Sequence, residues 1–332
     1  MNGRKYFVGQ WLLCILLGWV VPCVGADKPL EKYNVVWDSP SKDASGSMPL
    51  GNGDIGVNAW VEPSGDLLFY IGKTDAWSEN GRLLKVARLR LHCSPVAKST
   101  TGTFRQELRL EQGEMVVNSG AGNSRQQLRL WVDAHHPVIH VEVDRSVPFE
   151  VEVKLECWRQ KRRELQKEEA HSAYALMGSN RPVMVEPDTI AENQGNQLIW
   201  YHRNERSVWR ESLKLQALEK FARTARDPLL HRTFGGLVQG DNLIRAGRET
   251  LRSAAARNNF HFTVHLLTAQ TPSANDWLNQ LRDLAGKAGK LEQDRVAHRG
   301  WWENFWDRSW VRVDGGDPEE TRKISLGWHL HR

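Results

Sequence analysis

Short segments with an apolar residue at every second position run through the middle of the chain and limit what it can fold into. These segments are separated by Gly, Pro, Asn and Asp, and they cover residues 67–71, 83–92, 104–110, 114–117, 126–132, 138–143, 149–155 and 260–267. Successive side chains of a strand point to opposite faces, so the pattern indicates strands with one buried face and one wet face. Runs of this length and spacing are typical of antiparallel sandwiches and barrels. We therefore predict a mainly-β fold, a large two-sheet antiparallel β-sandwich over residues 32–272.

The hydrophobic period changes to that of a helix in two parts of the chain. Residues 209–225 contain few helix breakers and are predicted to form a helix inserted in the β-domain. After Asn275, which is expected to cap a helix, residues 277–284 and 291–309 repeat apolar residues at helical spacing. The sequence therefore predicts a helical linker over residues 273–317.

The second of these linker helices carries a stripe of aromatic side chains, and one more follows it. The stripe consists of Trp301, Trp302, Phe305 and Trp306, and Trp310 comes just after. Two interpretations are open. The rings form a platform for carbohydrate, or they pack the helix against the sandwich or a neighbouring domain. Packing is favoured, because aromatic stripes at helical spacing usually belong to a core.

Composition excludes several classes of protein. The chain has 332 residues, 40% of them hydrophobic and 26% charged, which is typical of a globular protein and excludes disordered, collagen-like and multispan membrane proteins. Its net charge of +5 is spread over 45 basic and 40 acidic residues. That small excess gives no reason to expect a nucleic-acid partner. The 15 Trp beside only 5 Tyr are unusual, and flat indoles suit the faces of sugar rings.

The N-terminus has the pattern of a secretory signal. Arg4 and Lys5 precede an apolar run at 11–21, and small residues come just before a predicted cut ahead of Asp27. The alternative is an uncleaved anchor, but the run is much shorter than the roughly 20 apolar residues that span a bilayer. We predict a signal peptide over residues 1–26, a secreted or periplasmic protein, and no membrane contact after cleavage.

Two cysteines, Cys93 and Cys157, remain in the predicted mature chain. Each ends a strand-like run. An oxidising compartment permits a disulfide between them, whereas free cysteines are among the residues most often buried. The sequence leaves both states open.

No common catalytic or metal-binding motif is present. His261 and His265 lie four apart in a predicted strand, which separates them by about 13 Å, too far for one metal ion. His135 and His136 precede a proline and are interpreted as part of a turn. The basic run at 159–163 is interpreted as a solvated face. The sequence predicts no cofactor and no metal.

One loop stands out. Residues 49–56 contain three glycines together with Asn52 and Asp54. Glycines let a backbone approach a ligand closely, and short polar side chains present hydrogen bonds to hydroxyl groups. The alternative is a tight structural turn. With Asp75 and Trp77 nearby in the sequence, we predict Asn52, Asp54, Asp75 and Trp77 as residues that bind carbohydrate.

These residues also carry a resemblance. Pro-Leu-Gly-Asn-Gly-Asp-Ile-Gly (49–56) and Thr-Asp-Ala-Trp-Ser (74–78) resemble the N-terminal β-sandwich of the alpha-L-fucosidases of glycoside hydrolase family 95. Related sandwiches precede the helical barrels of family 65 phosphorylases. Segments 227–236 and 298–310 are similar to an uncharacterised bacterial branch known only as a domain of unknown function. The likeness covers roughly residues 32–332.

The resemblance implies a sandwich, a helical linker and a barrel of paired helices that carries the catalytic acid and base of an inverting hydrolase. Residues 318–332 look like the opening helix of that barrel. We therefore expect a truncated protein that lacks its barrel partner in cis, has no catalytic residue and is inactive. The alternative is a free-standing carbohydrate-binding or structural module.

Overall fold

The computed structural model describes residues 30–97, 103–192, 194–309, 311, 313 and 315–330. The predicted signal peptide and Trp310 lie outside these residues. In chain order the strands are β1 (Val35–Trp37), β2 (Met48–Gly51), β3 (Ile55–Val61), β4 (Leu67–Trp77), β5 (Leu83–Ser94), β6 (Arg105–Arg109), β7 (Glu114–Ser119), β8 (Gln126–Val132), β9 (Val138–Glu156), β10 (Arg163–Glu164), β11 (Met184–Val185), β12 (Thr189–Ala191), β13 (Leu198–Arg203), β14 (Arg232–Gly240), β15 (Leu243–Arg245), β16 (Thr250–Ser253) and β17 (Arg257–Gln270).

The α-helices are α1 (Trp209–Leu215), α2 (Ala274–Gly286), α3 (Leu291–Arg308) and α4 (Pro318–Leu330). Short 3-10 helices cover Leu30–Tyr33, Ala44–Gly46, Gly122–Ser124, Lys167–Ser172, Tyr174–Leu176 and Glu219–Arg223. None of the described helices combines the length and the apolar character that crossing a bilayer requires.

The strands form two large antiparallel sheets, which confirms the predicted mainly-β fold. Sheet A has the order β1-β6-β7-β8-β9-β17-β14-β13-β12, and sheet B runs β2-β3-β4-β5-β9-β16-β15. Strands β10 and β11 pair separately. Because β9 belongs to both sheets, hydrogen bonds connect all fifteen strands of A and B.

Strand β9 passes from sheet A into sheet B along its length. In sheet A its first part pairs with β8 as far as Arg145 and with β17 as far as Phe149, and from Glu150 onward it pairs with β5 in sheet B. The sequence pattern predicts two strands here, and that prediction is wrong. Pro148, which has no N–H to donate, lies where the strand leaves one sheet for the other, so the chain changes partners without turning back.

The main core fills the space between the sheets, and a second apolar cluster lies outside sheet A. Alternation along β13 explains the division, because Trp200 belongs to the main core and its neighbour Ile199 faces α2. Trp277 and Leu281 of α2 are fully buried against that outer face. The predicted cap at Asn275 is wrong: the hydroxyl of Ser273 accepts the capping hydrogen bond instead.

The predicted inserted helix is shorter than expected. Helix α1 ends at Leu215, and Ala217 takes a positive φ of 55° that no α-helix continues through. A 3-10 helix, Glu219–Arg223, follows. Residues 209–225 therefore have the apolar composition of a helix but do not form one continuous helix.

Helix α3 packs against the turn between β6 and β7. The indole Nε1 of Trp306 donates a hydrogen bond to the carbonyl oxygen of Leu110 at 2.7 Å, and the ring is 2% exposed within the main core. Trp302 and Phe305 pack against the same core. The packing interpretation of the aromatic stripe is therefore confirmed for these three residues.

Candidate functional site

The glycine-rich loop between β2 and β3 is a tight turn held by the side chain of Asn52. Its Oδ1 accepts hydrogen bonds from the backbone N–H groups of Asp54 and Ile55, at 3.0 and 2.8 Å. Gly53 has a φ of +87°, which favours glycine. A β-carbon at Gly51 would lie 2.8 Å from the carbonyl oxygen of Ile55. The turn itself therefore requires both glycines.

The ammonium group of Lys73 brings Asp54 and Asp75 together. Its Nζ lies 2.7 Å from Oδ1 of Asp54 and 2.9 Å from Oδ1 of Asp75. The Lys73 side chain is only 7% exposed, whereas the two carboxylates are 43% and 41% exposed. The hydroxyl of Thr74 donates a further hydrogen bond to Asp54 at 3.1 Å. A buried cation thus fixes two carboxylates that remain open to solvent.

Trp77 provides an exposed aromatic ring two residues after Asp75 in β4. The pairing of β4 with β5 is irregular between Gly72 and Trp77, so strand alternation does not assign the two side chains to one face. The Trp77 side chain is 38% exposed, and its carbonyl oxygen accepts a hydrogen bond from the Asn204 amide. Burial raises the pKa of Asp75, but hydrogen bonds with Lys73 and Thr268 and the charge of Lys73 outweigh it, so the pKa lies below its ordinary value. Asp75 is therefore ionised at neutral pH.

Asn52 also joins the glycine loop to the turn after β8. Its Nδ2 donates hydrogen bonds to the carbonyl oxygens of Asp133 and His136, at 2.7 and 3.2 Å. Within that turn, Oδ1 of Asp133 accepts hydrogen bonds from the backbone N–H groups of His135 and His136. The interpretation of the two histidines as turn residues is confirmed. The Asn52 amide is thus taken up by backbone partners, whereas Asp54 and Asp75 remain partly exposed to solvent.

A buried group of aromatic and histidine rings lies beyond this turn. Trp131 stacks on His140 with ring centroids 3.9 Å apart, and Nδ1 of His140 lies 3.1 Å from Nε2 of His261. On its other side His298 contacts Trp131 at a centroid distance of 4.7 Å. Burial lowers the pKa of both His261 and His298 to about 4. These two rings are therefore neutral at physiological pH.

Two carboxylates face this group of rings. Burial raises the pKa of Asp133, but interactions with His140, His136 and the backbone N–H of His135 outweigh it and bring the pKa to about 2. One donor atom from each of Asp133, His140 and Asp294 lies within 4.8 Å of the others. Sequence reasoning missed this juxtaposition, because its members come from β9, from the turn after β8 and from α3.

A cavity of about 340 Å³ adjoins the glycine loop. Gly51 and Gly53 line it from the loop, and Trp302 and Trp306 line it from α3. Gly113, with a φ of +60°, closes one wall, and a β-carbon there would lie 2.0 Å from Nε1 of Trp302.

A buried ionic network supports sheet A behind the site. His202 lies between Glu79 and Asp188, with nitrogen-to-oxygen distances of 2.9 Å to each. Arg159 binds Asp188 at 2.8 Å and donates to the carbonyl oxygen of Lys85. The prediction of a solvated face is therefore wrong for Arg159, which is 7% exposed. Its partner Asp188 lies far from the basic run in the sequence, so the run itself does not indicate that Arg159 is buried.

Both cysteines of the described chain are free and buried. The thiol of Cys157 donates a hydrogen bond to Oδ2 of Asp188 at 2.8 Å. Burial raises the pKa of Cys93 and of Cys157 to about 12. Of the two states that the sequence left open, the structure has the free thiols.

The architecture and site define a class of protein, a mainly-β, two-sheet antiparallel sandwich followed by helices. Its candidate site is the open surface where Lys73 holds Asp54 and Asp75, in the strand that also carries Trp77. The chain belongs to the family described as Domain of unknown function (DUF5703), whose family model DUF5703_N matches residues 36–311. No curated protein matches the chain.

Among solved structures, the chain is similar to a putative kojibiose phosphorylase from human microbiome. The two share 9% sequence identity with a TM-score of 0.45. The matched region covers 90% of this chain and 41% of that chain. This chain therefore spans less than half the length of the protein that it matches.

Proposed function

We propose that this protein is the non-catalytic N-terminal portion of a secreted glycoside hydrolase-like protein, and that it binds carbohydrate at the surface formed by Asp54, Asp75 and Trp77. The observation that carries the proposal is the buried ammonium of Lys73, which holds two carboxylates open to solvent in the strand that also carries the partly exposed Trp77. Secretion follows from the signal pattern over residues 1–26.

The chemistry of this surface suits a sugar ring. Carboxylate oxygens are acceptors only, and they bind the hydroxyl groups of a sugar by charge-assisted hydrogen bonds. The face of an indole packs against the C–H groups of the sugar ring, while the polar N–H edge of the indole stays hydrated. Because Lys73 prevents the carboxylates from rotating freely, less side-chain entropy is lost on binding.

The charge of the surface sets its preference. Asp54 and Asp75 contribute two negative charges and Lys73 contributes one positive charge, so the cluster is left with one net negative charge. A uronic acid or a sulfated sugar would be repelled, whereas a neutral sugar such as fucose or galactose would not. The resemblance of segments 49–56 and 74–78 to alpha-L-fucosidases supports the same preference.

Binding is tested by titrating the purified mature chain with neutral and acidic oligosaccharides in a calorimeter. We expect saturable binding of a neutral sugar and at least tenfold weaker binding in Trp77→Ala and Asp75→Asn. Trp37→Ala is the matched control, since Trp37 is 42% exposed and lies on β1 at the edge of sheet A. Absence of binding, equal binding by the control and Trp77→Ala, or preference for acidic sugars would overturn the proposal.

The non-catalytic part of the proposal has its own test. The mature chain should not hydrolyse aryl fucosides or aryl galactosides, because the resemblance places the acid and base in a helical barrel outside the sandwich. Turnover by the pure protein that disappears when one carboxylate of residues 27–332 is replaced by its amide would show that the sandwich itself is catalytic.

A further inference from the structure

Asp133, His140 and Asp294 form a compact group of ligand-type atoms at the junction of sheet A and α3. Asp133 lies just after β8, His140 points inward from β9, and Asp294 lies in the first turn of α3. One donor atom from each residue lies within 4.8 Å of the other two. The group is separate from the Lys73 surface, so an inference about it does not depend on the proposed function.

The imidazole of His140 has an unused nitrogen aimed into the group. The residue is 3% exposed, and among the described residues Nε2 has no hydrogen-bond partner. It lies 3.8 Å from Oδ2 of Asp133, which is beyond hydrogen-bond distance. A buried polar atom without a partner costs about 1–3 kcal/mol, so its position calls for an explanation.

The other side of the His140 ring is arranged as the ring of a metal ligand usually is. Nδ1 lies 3.1 Å from Nε2 of His261, and the Trp131 indole stacks on the ring. When Nδ1–H donates to His261, Nε2 carries a lone pair that points at the carboxylates. An outer partner that fixes tautomer and ring plane is a regular feature of histidine ligands.

The two carboxylates lack a cation between them. Oδ1 of Asp133 accepts the backbone N–H groups of its own turn, which leaves Oδ2 for the group. No ion pair joins Asp294 to any cation of the described chain, because the nearby Arg295 and Arg299 pair with Glu142 and Glu114 instead. Like charges this close repel one another, and a bound cation reverses that effect.

Gly289 makes room for the third donor. A β-carbon on Gly289 would lie 2.2 Å from Oδ1 and 2.9 Å from Oδ2 of Asp294. Only a residue without a β-carbon therefore allows the Asp294 carboxylate to occupy its place beside the α2–α3 connection. The substitution Gly289→Ala consequently moves a ligand while keeping every ligand residue.

We propose that Asp133, His140 and Asp294 bind one divalent transition-metal cation, Zn²⁺ or Mn²⁺. One imidazole nitrogen with two carboxylates is a mixed donor set that suits these ions, whereas Ca²⁺ and Mg²⁺ favour oxygen donors alone. Three protein ligands leave the remaining positions for water. The ion connects α3 to sheet A and thereby stabilises the folded chain through its affinity for the native state.

Calorimetric titration of the chelator-treated, tag-free mature chain with ZnCl₂, MnCl₂ or CaCl₂ tests the proposal. We expect one site per chain for Zn²⁺ or Mn²⁺ and a rise in melting temperature on binding. His140→Gln, Asp294→Asn and Gly289→Ala should each weaken the affinity at least tenfold. Absorption bands of bound Co²⁺ provide an independent readout of a nitrogen ligand, and His140→Gln should change them.

Two variants serve as matched controls. His92→Gln replaces a partly exposed histidine of sheet B that pairs with Asp66, and Gly286→Ala replaces a glycine with nothing within 4 Å of its added β-carbon. Both should bind metal as the parent chain does. Circular dichroism confirms that each variant is folded, and Asp294→Asn and Gly289→Ala alter only surface positions of α3 and its linker.

Three results would overturn the proposal. They are absence of saturable Zn²⁺ and Mn²⁺ binding, binding of Ca²⁺ alone, and an affinity that stays unchanged in folded Asp294→Asn and Gly289→Ala. Loss of sugar binding in Trp77→Ala leaves the metal titration unaffected, so failures of the two proposals can be told apart.

Discussion

The side-chain amide of Asn52 donates a hydrogen bond to the carbonyl oxygen of Asp133 at 2.7 Å, although 81 residues separate the two in the chain. This contact ties the glycine-rich loop of sheet B to the turn after β8 in sheet A. On one side of it lies the open surface around Lys73, and on the other lies the buried group around His140. The contact thus links the loop that carries Asp54 to the turn that carries Asp133.

Asn52→Ala should lower the free energy of unfolding by about 1–3 kcal/mol, because it removes four hydrogen bonds and leaves two turns without their partner. Urea unfolding measures this change. Asn58→Ala is the control, since the exposed Asn58 amide makes one long hydrogen bond to Ser47, and a loss of no more than about 0.5 kcal/mol is expected there. Equal losses in the two variants would contradict the bridging role.

Lys73→Met should destabilise the chain by about 1–3 kcal/mol. Removing one member of a buried ion pair often costs about 3–5 kcal/mol, but both carboxylates here are partly exposed and water screens them. The folded pKa of Asp75 is lowered, so its contribution to stability is present above its unfolded value of 3.8 and is lost as pH falls.

The same substitution should therefore flatten the loss of stability between about pH 5 and pH 3. Unfolding measured across this range in the parent chain, in Lys73→Met and in the double variant Lys73→Met, Asp75→Asn provides the check. If the acid sensitivity of Lys73→Met equals that of the parent chain, Lys73 is not what holds the pKa of Asp75 low.

His202→Gln should change how stability depends on pH above about 6.5, rather than in the acid range. Burial lowers the pKa of His202, but hydrogen bonds to Asp188 and Glu79 outweigh it, so the folded pKa is raised above 6.5. This contribution to stability is fully present below pH 6.5 and is lost as pH rises through the folded pKa.

At pH 6 we expect the variant to lose about 3–5 kcal/mol, because two buried carboxylates lose the cation between them. The difference from the parent chain should shrink as pH rises. Urea unfolding at pH 6 and at pH 9 provides the comparison, with His135→Gln, on the exposed turn, as control. A pH-independent difference would mean that folding does not raise the pKa of His202.

Gly113→Ala should loosen the contact between α3 and the sandwich. The added β-carbon would lie 2.0 Å from the Trp302 indole, at a φ of +60°. Gly122→Ala is the control: its φ is +54°, nothing lies within 4 Å, and it carries only backbone strain of about 1–2 kcal/mol. Gly113→Ala should cost about 2 kcal/mol beyond that and reduce the near-ultraviolet dichroism of tryptophan. Equal costs would show that α3 tolerates the displacement.

Alternation in sequence located seven of the seventeen described strands, namely β4, β5, β6, β7, β8, β9 and β17. Strand β8 occupies residues 126–132 as predicted, because its first five residues alternate between buried and half-buried positions. Strand β14 escaped prediction because Gly235 and Gly236 interrupt its pattern. A β-carbon at Gly235 would lie 2.0 Å from the carbonyl oxygen of Trp200, so close approach to β13 imposes a residue that weakens the local signal.

The residues of the candidate sites also divide into those that the sequence could predict and those that it could not. Asp75 and Trp77 could be predicted because they are close in sequence, and Asp54 because it lies in a conspicuous loop. Lys73, which holds two of these residues, looks like any other lysine of an alternating strand. His140 and Asp294 could not be joined from the sequence, since their proximity depends on where α3 docks on sheet A.

The sharing of β9 between both sheets has a consequence for synthesis of the chain. Its earlier neighbours, β5 and β8, leave the ribosome before it, but β16 and β17 begin only at Thr250 and Arg257. While residues 157–249 are being made, each half of this 19-residue strand has one unpaired edge. Such an edge is a template for pairing with another chain. Nascent chains stalled in this interval should therefore be the most prone to aggregate and the most dependent on chaperones.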